Sequence, residues 1–218
     1  MPTPKEKFDS ILARVKAVLP PNSKNPLLIG VTKSHSPDQI LAYYNLGLRD
    51  FGENKVQEAL PKIEALPKDI RWHFIGHLQS NKVKEAVGKF KLIHAIDSLK
   101  LLEKTGSRAR ELGIIQDVLL EVNISGEETK HGLKTGEVKG VLESSKTLPN
   151  IRVLGLMTMA PYGAKEEELH RIFGSLRELA ASHNLPELSM GMSDDFEIAV
   201  AEGATMIRIG RALFGERP

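Results

Sequence analysis

Lys33 closes the run LLIGVTK at residues 27–33, and its position there gives it chemistry. In a strand, Leu27, Ile29, Val31 and Lys33 share one face. If that face is the interior of a closed sheet, a single amine caps an apolar column. Desolvation lowers the pKa of such an amine and favours its neutral, nucleophilic form, which suits a Schiff base with an aldehyde. The competing reading is a lysine that snorkels to the rim, the commoner case for a lone lysine. Arg208 follows the same pattern: Met206 and Arg208 share one strand face, Ile207 and Ile209 the other. Strands one and eight are neighbours in a closed barrel, so the two cations would lie close together and need an anionic or electron-rich partner. A carboxylate such as Glu53 is one candidate partner for Arg208; a ligand is another, and the two are compatible.

The stretch SMGMSDDFEIAVAEGATMIRIGRALFG, residues 189–215, offers such a ligand a seat. It reads as a strand over 188–192, a turn, a short helix, a strand over 206–209 and a second glycine turn. Ser193 is expected at the N-cap, with Asp194 and Asp195 in the first helical turn. Phe196, Ala199 and Val200 give the helix an apolar face, and Gly203 ends it. Two turns with free backbone N–H groups at the same ends of parallel strands can hold a phosphate. The plainer reading is two ordinary strand–helix turns. A phosphorylated aldehyde satisfies Lys33, Arg208 and both turns, and pyridoxal 5′-phosphate is the obvious candidate.

The elements that must position these groups repeat along the chain. An amphipathic helix over 4–19 carries Phe8, Ile11, Leu12, Val15 and Val18 at helical spacing and stops at Pro20 and Pro21. Strands are expected over 27–33, 49–53, 72–76, 92–96, 117–124, 151–157, 188–192 and 206–209. Helices are expected over 36–46, 55–66, 80–87, 99–112, 135–147 and 165–183. This alternation predicts an α/β fold, a (β/α)8 TIM barrel with an extra N-terminal helix, as one domain over 1–218. No glycine fingerprint follows the first strand, which weakens a dinucleotide-binding sheet.

Functional groups in such a barrel gather at the C-terminal strand ends. There the sequence offers Lys33, Glu53, Asn54, His77, Asp97, Ser98, Asn123, Met157, Ser193 and Arg208. His73 falls mid-strand and is expected in the core. No histidine pair has a metal-ligand spacing with a nearby carboxylate, so no metal is expected. Composition excludes other classes. The chain has no cysteine, which removes disulfides and thiolate chemistry and fits a reducing compartment. A net charge of +2 with 5% aromatics gives no nucleic-acid signature. No signal peptide or membrane-spanning run is evident, so a cytoplasmic protein is expected, and a monomer, since no long apolar stripe is left over.

WHFIGHLQSNK at 72–82, VTK at 31–33, FGENKVQE at 51–58, GLMTMAP at 155–161 and SMGMSDDFEIAV at 189–200 together cover much of the chain. With these motifs the sequence resembles the pyridoxal phosphate homeostasis family, alanine-racemase-like barrels. The resemblance implies that Lys33 carries pyridoxal 5′-phosphate and that Arg208 faces its pyridine nitrogen. It implies that Ser193, Gly210 and the backbone of Arg211 bind the phosphate, and that Asn54 and Met157 line the pocket. Many relatives have threonine where this chain has Arg211. The hydroxyl contact is then missing, and the arginine either reaches the phosphate or projects to solvent.

The resemblance further implies holding, buffering or delivering the cofactor, with apoenzymes as partners and little or no catalysis. An arginine facing the ring nitrogen leaves it unprotonated and weakens the cofactor as an electron sink. The chain also ends at Pro218, without the added β domain of the two-domain racemases. The alternatives are an amino-acid racemase or lyase of the same fold, and a regulatory protein acting through a protein partner.

Overall fold

The computed structural model describes residues 2–127 and 131–216. The ends of the expected 1–218 unit lie outside them. Helix α1, Pro4–Val18, comes first, and the repeat starts with β1, Leu27–Val31, and α2, Pro37–Asn45. It continues with β2, Asp50–Glu53; α3, Val56–Ala65; β3, Arg71–Phe74; α4, Val83–Ala86, preceded by a 3-10 turn; and β4, Leu92–Ile96. Then follow α5, Leu99–Glu111; β5, Gln116–Glu121; α6, Val138–Ser145; β6, Ile151–Met157; and α7, Glu166–Ser182. The last elements are β7, Glu187–Ser189; α8, Phe196–Ala201; β8, Met206–Ile209; and α9, Arg211–Phe214. The strands pair in parallel, each with the next, and β1 pairs with β8 to close the barrel.

The strand faces divide as the alternation requires. Ile29, Leu92, Ala95, Leu119, Met157 and Met206 form a small interior cluster. Leu28, Phe51, Ile93, Leu120, Leu156, Ile207 and Ile209 join the larger core between sheet and helices. In β4 the register slips between Ile93 and Ile96, and the neighbours His94 and Ala95 both belong to the barrel interior there. Helix α1 starts on a Thr3–Glu6 capping box and packs against α8, α9 and α2, covering one side of the barrel. Arg14 fastens it to Glu197 at 2.7 Å.

Several element ends differ from expectation, each for a local reason. Strand β1 stops at Val31 rather than 33, and Ser34 then takes a positive φ of 64°. Strand β7 stops at Ser189 rather than 192; Gly191 beyond it takes a positive φ of 90°, although its carbonyl still accepts from the Arg208 N–H at 3.0 Å. A Cβ there would meet Ala199 Cβ at 2.6 Å, so only glycine fits. Helix α8 starts at Phe196, with Asp195 rather than Ser193 at the cap position. The Met192 N–H donates to Asp195 Oδ1 at 2.5 Å, and this turn delays the helix by two residues.

Candidate functional site

A cavity of about 540 Å3 opens beyond the C-terminal strand ends, and Lys33, Asn54, Ser193, Arg208, Gly210 and Arg211 all line it. A larger cleft, about 850 Å3, lies at the opposite end and is lined by strand starts such as Leu27, Asp50 and Met206. The smaller cavity holds the convergent polar groups and sits where barrels do chemistry. Met157 is fully buried in the interior cluster, and the methionines on the cavity wall are Met159 and Met192.

Lys33 is half-buried, two residues beyond β1. The backbone beneath it is fixed by a buried ion pair. Lys62 Nζ, from α3, donates to Glu53 Oε1 at 2.6 Å and to the Thr32 carbonyl at 2.7 Å. Thr32 Oγ1 donates to the same carboxylate oxygen at 2.6 Å. Glu53 therefore serves Lys62 rather than Arg208, the pairing its strand-end position left open. Asn54 follows on the same strand end, and its Oδ1 is buried without a partner among the described residues. Gly76 backs it closely: a Cβ there would lie 2.3 Å from the Asn54 carbonyl.

Arg208 points inward from β8 and is 4% exposed. Its Nη1 donates to Ser189 Oγ at 2.6 Å and its Nη2 to the Thr158 carbonyl at 2.9 Å. Burial lowers its pKa to about 10, against the pull of Asp195 and Glu121, so it stays charged at neutral pH. Among the described residues no carboxylate forms an ion pair with it. A buried cation on a cavity wall without a contacting anion suits an electron-rich ligand atom.

The turns after β7 and β8 are stapled together. The Ala212 N–H, in the first turn of α9, donates to Ser193 Oγ at 3.2 Å. Ser193, released from the expected cap, thus joins the two turns that the sequence places side by side. The guanidinium of Arg211 pairs at the rim with Asp194, and lies 3.7 Å from Glu216. It is held by carboxylates on the exposed edge, and only its backbone remains for the turn.

Two groups escaped the sequence reading. Glu121 ends β5 inside the barrel, and burial, then the charge of Asp97, pushes it up to about 7. Its folded pKa lies above the unfolded value near 4.5, so the folded state holds the proton more tightly. Stability therefore falls as pH rises from about 4.5 to about 7 and stays lower above. Glu121→Gln should remove that penalty. We expect a gain of up to about 3 kcal/mol at pH 8 and little change at pH 4, read by thermal unfolding at both values. The second group joins His77 and Asp97, both expected at strand ends, with His131, which lies between β5 and α6 and was not expected. His77 Nδ1 lies 3.1 Å from Asp97 Oδ2, and the two imidazoles stack at 3.9 Å. Their ligand atoms lie within 4.8 Å of one another. The residues are too far apart in sequence for any spacing rule to connect them.

Fold and cavity together define a barrel of the alanine racemase N-terminal type, and residues 8–218 match the family described as alanine racemase, N-terminal domain. A pyridoxal phosphate homeostasis protein of Aquifex aeolicus is 50% identical over 197 residues, covering 87% of this chain and 86% of that one. A pyridoxal phosphate homeostasis protein of Homo sapiens is 38% identical, covering 97% and 83%. The solved structure of PipY from Synechococcus elongatus PCC7942 with PLP bound superposes with a TM-score of 0.86 at 38% identity, covering 98% and 100%. The chain belongs to the pyridoxal phosphate homeostasis protein family. Among the described residues no helix is long and apolar enough to cross a membrane.

Proposed function

We propose that this protein binds pyridoxal 5′-phosphate at the C-terminal mouth of the barrel and holds or delivers it without substantial turnover. The observation that carries this is the meeting of Lys33 and Arg208, from adjacent strands, on one cavity with the stapled turns of Ser193 and Gly210. The donor set fits the group: an amine for the aldehyde, a buried guanidinium for the ring nitrogen, a hydroxyl and backbone N–H groups for the phosphate. When bound, the cofactor supplies an aldehyde that condenses reversibly with amines and a ring that can accept electrons.

Each residue then has a defined task. Lys33 would hold the aldehyde carbon covalently. Arg208, donating and not readily giving up its proton, would keep the ring nitrogen unprotonated. Ser193 and the N–H groups around Gly210 and Arg211 would bind the phosphate, and Asn54 would border the ring. The wider proposal is a cytoplasmic monomer, one domain over 1–218, that hands the cofactor to apoenzymes. PLP bound to the PipY relative supports the ligand, and the names of the homologues support the role.

Ser193→Ala tests the phosphate seat. It removes one hydroxyl contact to a charged group, which typically contributes on the order of 1 kcal/mol or more. The dissociation constant for pyridoxal 5′-phosphate should rise several-fold while covalent attachment at Lys33 persists. An unchanged constant would put the phosphate elsewhere.

A further inference from the structure

A line of buried polar side chains crosses the barrel interior from its N-terminal end to Arg208. Arg71 begins it, half-exposed, and donates to Asp50 through Nε at 2.8 Å and Nη2 at 2.5 Å. Asp50 Oδ1 lies 3.1 Å from His73 Nε2. His73 Nδ1 lies 2.9 Å from His94 Nε2, and His94 Nδ1 lies 2.8 Å from Ser189 Oγ. Ser189 Oγ accepts from Arg208 Nη1. Asp50, His73, His94, Ser189 and Arg208 are all buried, His94 and Ser189 completely. Asp50 and Arg71 line the cleft at the N-terminal end, and Arg208 lines the cavity at the other.

Donor–acceptor chemistry fixes the two arginine ends of this line and favours one direction between them. Arginine only donates, so Ser189 Oγ is an acceptor from Arg208 and has its own proton to give. The nitrogen facing it, His94 Nδ1, takes that proton if it is bare. A neutral His94 then carries its hydrogen on Nε2 and donates to His73 Nδ1. His73 in turn carries its hydrogen on Nε2 and donates to the Asp50 carboxylate, which Arg71 also serves. No donor is left over and no imidazole is charged. The reverse direction needs a hydrogen on both nitrogens of His73 and on His94 Nδ1. It adds a buried positive charge on the Arg208 side of Asp50 and leaves the Ser189 hydroxyl without the acceptor it has in the first arrangement. Burial above all holds His94 well below the usual histidine range, in agreement with a neutral ring. Burial alone would raise the Asp50 carboxyl, but the hydrogen bonds from His73 and Arg71 hold it below its usual value.

We propose that Asp50, His73, His94 and Ser189 are positioning residues. They form a one-way hydrogen-bond relay that anchors the Arg208 guanidinium from the far end of the barrel and thereby sets its contact with the cofactor ring. The last clause rests on the binding reading above; the relay itself does not. The line joins strands β2, β3, β4, β7 and β8, so it aims one guanidinium from five strands at once.

Nitrogen-15 NMR of the histidines tests the relay in the protein free of cofactor. At pH 7, His73 and His94 should both be neutral, each with its hydrogen on Nε2. A hydrogen on His94 Nδ1, or a doubly protonated His73, would overturn the proposed direction. A second arm reads the cofactor. His94→Phe keeps a ring in place and removes the acceptor of Ser189. It should raise the dissociation constant for pyridoxal 5′-phosphate about 3- to 10-fold, as expected for one hydrogen bond, and shift the visible absorption maximum of the bound cofactor. Because both act through Arg208, adding Ser189→Ala should not multiply the effect. Independent, multiplying effects, or an unshifted spectrum with unchanged affinity, would reduce the line to core packing. If the wild-type protein binds no pyridoxal 5′-phosphate, the binding reading fails, and the NMR arm still decides the relay.

Discussion

Lys33→Ala is expected to abolish covalent retention of pyridoxal 5′-phosphate. The other elements of the cavity survive this change: Arg208 keeps its bonds to Ser189 and Thr158, and Ser193 keeps its bond to the Ala212 N–H. The variant should therefore bind the cofactor weakly and lose it on dialysis. The visible band of the protein-bound form should vanish, and borohydride should fix nothing. Lys62 reaches the backbone next to Lys33, but its amine is buried and engaged by Glu53 and the Thr32 carbonyl. A reduced adduct mapped to Lys62, Lys82 or another lysine would refute the assignment.

Glu53→Ala is expected to cost about 3–5 kcal/mol of stability, as when one partner of a buried ion pair is removed. The change strands the Lys62 ammonium, whose side chain is 11% exposed, and releases the Thr32 hydroxyl. Chemical denaturation should show the loss directly. Replacing both partners, with Glu53→Leu and Lys62→Met together, should recover most of it, because no unpaired charge then remains. A loss below about 1 kcal/mol in the single variant would mean that solvent reaches the pair. Cofactor attachment should also weaken in the single variant, since Thr32 precedes Lys33.

Much of this architecture could be read from the chain because barrel strands are short apolar runs with sharp ends. The bounds of β4, β6 and β8 match expectation residue for residue, since each is mostly apolar and is followed by a polar residue or glycine: Asp97, Thr158 and Gly210. The inward face of β1 and β8 followed from simple alternation, and with it the convergence of Lys33 and Arg208. What escaped depends on contacts between distant positions. Ser193 has the right chemistry for a helix cap, yet Asp195 and the positive φ of Gly191 leave it facing α9 instead. Glu53 has a strand-end position suited to a ligand, yet α3 brings a lysine onto it. His94 drew no reading from the sequence, because its partners His73 and Ser189 lie on β3 and β7.

The most direct test of the carrier reading measures α-proton exchange and cofactor transfer on the same preparation. The protein, fully loaded with pyridoxal 5′-phosphate, is incubated in deuterated water with several amino acids, and a parallel sample is mixed with a cofactor-requiring apoenzyme. In the proposed reading Arg208, fixed and charged, would keep the ring nitrogen unprotonated, so carbanion chemistry would be disfavoured while exchange of amines at the aldehyde carbon would not. The account predicts negligible deuterium incorporation together with recovery of apoenzyme activity. Incorporation at rates typical of enzymes, roughly 1 per second or faster, would contradict it and make this barrel a racemase or lyase.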